Sequence, residues 1–262
     1  MSGLLLVAPH PDDIALSVGG WLGALVDADA RAGRDRSITL LTVFTRSRWA
    51  PYAPGAEGLD EDGVRKLREA EDAAYAHSLR LSYTALGLPD SSALGMDDDA
   101  ELNEPDGSAA SRAREQEAAE AMRPHLDAAA LVVAPSAVGG HIDHRLVRRA
   151  VGRCPGPQLR LWYEDLPYAL TPSAPRPRWD DVEPVGLGLE FTLGRWAEPK
   201  RVGLGHYASQ LTGADVAGVL RHGAEEGGPA VERVWLAPSD AGRLGRCREL
   251  GLTPAGGAPS AS

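Results

Sequence analysis

Short apolar runs alternate with longer stretches of helical periodicity, and no other feature constrains the fold of this chain as strongly. Leu4 to Val7, Ile38 to Phe44 and Leu131 to Ala134 are apolar or β-branched at every position, as expected of strands covered on both faces. From Ile14 to Ala32 the residues Ile14, Val18, Trp21, Leu22 and Leu25 share one helical face, and Gly33 follows as a stop. Val64 to Leu79, Ser111 to Met122 and His144 to Arg153 read as further helices, the second ending near Pro124 and the third closed by Pro155. Ser82 to Leu86 and Leu159 to Tyr163 read as short strands, the former leading into a turn from Gly87 to Asp90. Strands that alternate with helices predict an α/β fold with a parallel sheet and helices on both faces.

The second half is less regular. Residues Arg46 to Gly63 and Thr171 to Pro184 are rich in breakers and read as loops. Pro199 opens a helix over Lys200 to Leu211, another helix runs from Ala214 to His222, and Glu232 to Ala237 forms a late strand. Residues 1–250 are expected to form one domain, and residues 251–262, rich in Gly, Pro, Ala and Ser, a disordered tail.

Composition narrows the function. The 262 residues are 43% hydrophobic, which supplies a sizeable core. A net charge of -10 would repel the phosphates of nucleic acid or of an anionic membrane. No run approaches the ~20 apolar residues of a membrane span. The N-terminus lacks the positive segment of a signal peptide. Two cysteines, Cys154 and Cys247, outside any CxxC pattern, suit a reducing cytoplasm.

Two clusters carry the chemistry. Ala8-Pro9-His10-Pro11-Asp12-Asp13 follows the first apolar run, and Gly139-Gly140-His141-Ile142-Asp143-His144 follows the run at 130–133. Ligands of parallel sheets collect outside the carboxyl ends of the strands, so the two clusters are placed to meet. Imidazoles and carboxylates are the ordinary ligands of a hydrolytic zinc ion, and such a site needs three protein ligands and an open position. His10, Asp13 and one of His141 or His144 would complete the set. The other histidine would sit near a developing oxyanion, and Asp12 would be free to take a proton from a metal-bound water. Asp143 is placed to hydrogen-bond a histidine. Asp12-Asp13 also suits a helix N-cap, and the two roles are compatible. A His/Asp/His set accepts other divalent transition metals as well as zinc.

At these residues the chain resembles the PIG-L (LmbE-like) family of zinc-dependent de-N-acetylases. The family pattern of a strand, PHPDD, a helix and GG is matched from Val7 through Gly20, and HxDH by His141-Ile142-Asp143-His144. The resemblance covers about residues 3–165 and implies a Rossmann-like sheet with a small C-terminal extension. It implies His10, Asp13 and His144 as metal ligands and Asp12 as general base. His141 becomes the transition-state-stabilising histidine, and Asp143 the aspartate behind the ligands. Many members carry Glu after HPDD, where this chain has Ile14. The stretches Trp162 to Tyr168 and Lys200 to Gln210 resemble members that act on sugar-containing metabolites and antibiotic precursors.

The function expected is hydrolysis of an N-acetyl amide on an amino sugar or related small metabolite. The alternative is an amidase that removes a larger acyl group or cleaves a thiol-sugar conjugate. A nucleotide-binding module is disfavoured, because two carboxylates replace the glycine-rich loop that would cradle a pyrophosphate. Substrate contacts are sought at Arg68, Asp90 and Glu164. Arg68 equally suits a solvated helix pair with Glu71, Asp90 a turn, and Glu164 with Asp165 a solvated acidic pair. Trp49, Pro51 and Tyr52 suit a lid or wall. His77, His125, His206 and His222 read as surface or core histidines.

Overall fold

The computed structural model describes residues 3–53, 55, 58–96, 108–154, 156, 158–171, 186–224 and 228–255. Five strands, β1 (Gly3–Ala8), β2 (Ile38–Arg46), β3 (Ser82–Pro89), β4 (Ala129–Pro135) and β5 (Leu159–Tyr163), lie parallel. They alternate with α1 (Asp13–Arg31), α2 (Glu61–Ser78), α3 (Ala109–Ala128) and α4 (Ile142–Arg153). Three further strands, β6 (Leu187–Thr192), β7 (Val231–Leu236) and β8 (Thr253–Pro254), add antiparallel. The sheet order is β3-β2-β1-β4-β5-β7-β6-β8. The C-terminal segment therefore extends the same sheet. Its helices are α5 (Ala197–Leu204), α6 (Gly213–Val219) and α7 (Leu244–Glu249).

Strand alternation splits the core in two. Leu4, Leu6 and Ala8 pack with Trp21 and Leu22 of α1 and Tyr75 of α2. Leu5 and Val7 pack on the other face with Met122 and Leu126 of α3 and Leu146 and Val147 of α4. Ile14 is buried in the first of these cores.

Local rules fail where burial or a turn overrides them. The sequence ends the third helix near Pro124, yet α3 continues to Ala128. Proline removes one donor near the helix end, and the next turn buries Leu126 against the sheet. The sequence ends the third strand at Leu86, but β3 runs on to Pro89. Gly87 sits at φ 73, where the register with β2 shifts, as in a glycine bulge. The helix expected over Lys200 to Leu211 starts earlier and ends at Leu204. Its last residues form turns that send Tyr207 and Ser209 to side chains of α2. β6 lies in a stretch with no assigned element, and β8 in the expected tail, where Thr253 and Pro254 pair with β6. Residues 256–262 of that tail and most of the proline-rich loop, 172–185, lie outside the described residues.

Candidate active site

Connections from β1 run to β2 and β3 on one side, and those from β4 to β5 on the other. This reversal opens a crevice at the carboxyl ends of β1 and β4, and both His/Asp clusters stand there. Asp12 is the N-cap residue of α1, but its side chain makes no capping bond and its φ is 104. A non-glycine residue held in left-handed geometry is strained, and such strain gathers at functional sites. Asp12 lines a cavity of about 360 Å³ together with His10, Asp13 and His141. Next to Asp12, the His10 amide donates to Asp13 Oδ2 at 2.7 Å. After β4, Gly139 has φ 89, and a Cβ there would lie 2.5 Å from the Cβ of Tyr168. Only glycine fits that position.

Three donors converge. Asp13 Oδ1 lies 3.5 Å from His144 Nε2, and Asp13 Oδ2 lies 3.7 Å from His10 Nδ1. These ligand atoms all fall within 4.8 Å of one another. His144 Nε2 is buried with no hydrogen-bond partner, a costly state for a polar atom unless something binds it. The remaining nitrogen of each imidazole meets a carboxylate: His10 Nε2 is 2.9 Å from Asp143 Oδ2, and His144 Nδ1 is 2.7 Å from Asp165 Oδ1. A carboxylate behind each histidine is the usual support of a metal ligand. His10, His141 and Asp143 also come within range of one another. Their lone pairs are engaged, however. Asp143 also accepts from the Ser91 amide at 2.9 Å and from Arg114 at 2.7 Å, and His141 Nδ1 accepts from the Asp143 amide at 3.2 Å. The first trio fits a divalent cation better.

The electrostatics follow from burial and neighbours. Burial, then the Asp13 charge, pushes the Asp12 carboxyl well above its ordinary range. Burial holds His141 well below the usual imidazole value, hence neutral. With Nδ1 accepting, the neutral ring carries its proton on Nε2. Burial acts against the charged form of His144, but Asp13 and Asp165 outweigh it and raise the group to about 9. Burial would raise Asp143 too, but the His10 hydrogen bond and the charges of His10, His141 and Arg114 reverse that and hold it far below the usual carboxylate range.

Among the weaker candidates, Arg68 is buried, lines the cavity, and donates to Ser47 Oγ at 3.0 Å and the Pro11 carbonyl at 3.2 Å. It does not pair with Glu71, which instead accepts from the Ser209 amide and hydroxyl. Asp90 combines both of its readings. Its Oδ1 accepts from Ser92 and the Ala93 amide in a turn, while the residue also lines the cavity. Trp49 is 60% exposed and lines the mouth; Tyr52 lies beyond it, exposed. Glu164 is not among the residues that line the cavity; its carboxylate pairs with His222 at 2.8 Å and Arg233 at 3.6 Å. The sequence reading missed the role of Asp165. The signal was present, since Asp165 follows β5, the parallel neighbour of β4, just as the two clusters follow their own strands. Tyr168 was also missed; its ring lies 5.8 Å from that of His141 and 5.2 Å from that of His144. It ends the Trp162 to Tyr168 stretch, but nothing in that stretch singles out this ring.

Comparison with known proteins fits this geometry. The family model PIG-L, described as GlcNAc-PI de-N-acetylase, matches residues 5–154. The chain belongs to this family. A PIG-L member is a hydrolase of N-acetyl amides, and the donor set here is that of a metal-dependent one. The chain is 38% identical to a 2'-N-acetylparomamine deacetylase of Streptomyces fradiae over 265 residues, covering 91% of this chain and 90% of the relative. A deacetylase of the teicoplanin biosynthesis pathway superposes with a TM-score of 0.69 at 25% identity, over 92% of this chain and 100% of that one. The N,N'-diacetylchitobiose deacetylase of Pyrococcus horikoshii shares the fold, with a TM-score of 0.59 at 14% identity over 89% and 82% of the two chains. Among the described residues no helix is long and apolar enough to cross a membrane.

Proposed function

We propose that this PIG-L protein is a zinc-dependent deacetylase of a small N-acetylated amino sugar. His10, Asp13 and His144 would hold the ion. The observation that carries the reading is the trio itself: three donor atoms within 4.8 Å of one another, one of them a buried imidazole nitrogen that makes no hydrogen bond. The 38% identical relative, a 2'-N-acetylparomamine deacetylase, supports the substrate class. Two buried, free cysteines suit a cytoplasmic enzyme.

A bound zinc ion would polarise the amide carbonyl and make water acidic enough to attack at neutral pH. The chain's own residues supply the rest. Asp12, unspent on capping, faces the cavity and takes the proton of the attacking water. His141, neutral with its proton on Nε2, donates to the carbonyl oxygen as that oxygen gains charge. Asp143 and Asp165 hold the two ligand rings in one tautomer. The amine departs with a proton carried by Asp12 or His141. Arg68 and Asp90, on the cavity wall, are placed for polar groups of the sugar.

The test is metal content together with acetate release from a panel of N-acetylated amino sugars, before and after chelation. About one metal per chain, with activity lost on chelation and restored by zinc, is the expected result. Release of a longer acid but no acetate would move the reading to a larger acyl group. A chain that takes up no metal would overturn it.

A further inference from the structure

Helix α1 is broken at the glycine pair of the first motif. Val18 leaves helical geometry, at φ -137 and ψ 19. An unbroken helix would join the Gly20 amide to the Leu16 carbonyl. Here the Gly20 amide donates to Glu232 Oε1 at 2.8 Å, and the Leu16 carbonyl accepts from Lys200 Nζ at 2.6 Å. The Trp21 amide donates to Glu232 Oε2 at 2.7 Å, and Lys200 and Glu232 pair at 2.7 Å. Lys200 and Glu232 are 3% and 2% exposed. Insertion of side chains into the backbone ladder is an established cause of a sharp kink.

The glycines admit the insertion. A Cβ on Gly20 would lie 2.2 Å from Leu193 Cδ2 and 3.2 Å from Glu232 Oε1, and one on Gly19 would lie 3.3 Å from the Tyr75 hydroxyl. The break isolates a short first segment, Asp13 to Ser17, fixed at several points. At its start, Asp13 accepts from the His10 amide. At its end, Leu16 is capped by Lys200, and Ser17 Oγ accepts from the Leu166 amide. That segment carries Asp13 and follows directly from the strained Asp12.

We propose that Lys200 and Glu232 are positioning residues for this reaction, and that their inserted ion pair sets the first turn of α1 at the angle that aims Asp12 and Asp13 into the cavity. The inference rests on the proposed roles of those two aspartates. A pair that only fastened α5 and β7 to α1 would have no need to occupy opposite ends of one helical rung. The pair also gives the antiparallel extension a part in the reaction, although it lies outside the span of the family model.

The test is the double variant Lys200→Met/Glu232→Leu. It removes both charges together, so no buried charge is stranded, and it lets the Gly20 amide and the Leu16 carbonyl rejoin. Cobalt(II) is the probe, read by its visible absorption and by chelator competition, alongside kcat and KM at a temperature where the variant is folded. The expected result is about tenfold or greater weakening of cobalt affinity, as for lost support of a metal ligand. A changed cobalt spectrum and a fall in kcat with little change in KM should accompany it. Unchanged affinity, spectrum and kcat would overturn the proposal and leave the pair a fastening. Should the double variant not fold, Gly20→Ala keeps both charges and crowds Leu193 and, behind it, Glu232; it should move the same readouts in the same direction, and wild-type values in it would overturn the proposal equally. A wild-type chain that binds no cobalt would overturn the underlying site reading instead.

Discussion

The two halves of the sheet are built by different rules. In the parallel half, β1, β4 and β5 each deliver acidic or imidazole groups at their carboxyl ends, and the donor trio with its two supporting aspartates comes from there. The antiparallel half delivers supports. Lys200 and Glu232 reach α1, and Tyr207 and Ser209 reach α2. Function in the first half is encoded by residues adjacent in sequence. In the second it is encoded by contacts such as Glu232 to Gly20, 212 positions apart. The comparison suggests a division of labour: chemistry at the switch point of the parallel strands, aim from the antiparallel extension.

The hardest blow to that division would fall at Asp12. Asp12→Asn keeps size and backbone but cannot accept the proton, so turnover should fall about 10²–10⁴-fold. Metal content should stay at the wild-type value, because Asp12 is not in the trio. Steady-state rates paired with metal analysis check this. Near-wild-type turnover would take the base away from the parallel half.

A smaller effect is expected one step back from the trio. Asp165 accepts from Ser136 and the Val138 amide as well as holding His144. Asp165→Asn keeps the shape but weakens the hold on the ring, and metal affinity should drop about 10–100-fold. Competition with a chromophoric chelator measures it. Undiminished affinity would mean that His144 is oriented by packing alone.

The same contrast explains what could be read from sequence. The parallel sheet and the meeting of the two clusters follow from short local patterns: apolar runs, a helical face from Ile14 to Leu25, and histidines beside aspartates. The resemblance to PIG-L added roles to those residues, and family membership bears out the enzyme class. Glu164 and Asp165 show the limit. They are neighbours with the same charge, yet strand geometry sends one to His222 and the other to His144. Nothing in two adjacent acids says which faces the site. The strand β6 was illegible because its pairing depends on β7, some forty residues away. The purpose of Gly19-Gly20 was illegible because the intruding side chains come from the other half of the chain.

The smallest effect sharpens the comparison at a tie between the halves. Asp72 of α2 accepts from Thr42 Oγ1 at 2.5 Å and from the Tyr207 hydroxyl at 2.7 Å. Burial pushes its carboxyl up to about 6, against the lowering influence of these bonds, the Asp12 backbone and Arg68. The unfolded chain releases that proton near the ordinary value of about 3.9. The folded state therefore holds the proton more tightly. Its contribution to stability is complete below about pH 4 and is lost as pH rises through about 6. Asp72→Asn cannot titrate and keeps an acceptor for either hydroxyl. Urea unfolding from pH 4 to 7 should show the wild type losing about 2 kcal/mol relative to the variant across that window. Parallel pH profiles would mean that Asp72 is ionised throughout, with Thr42 and Tyr207 holding the charge. The tie from the antiparallel half would then be a charge-assisted bond rather than a proton-dependent one.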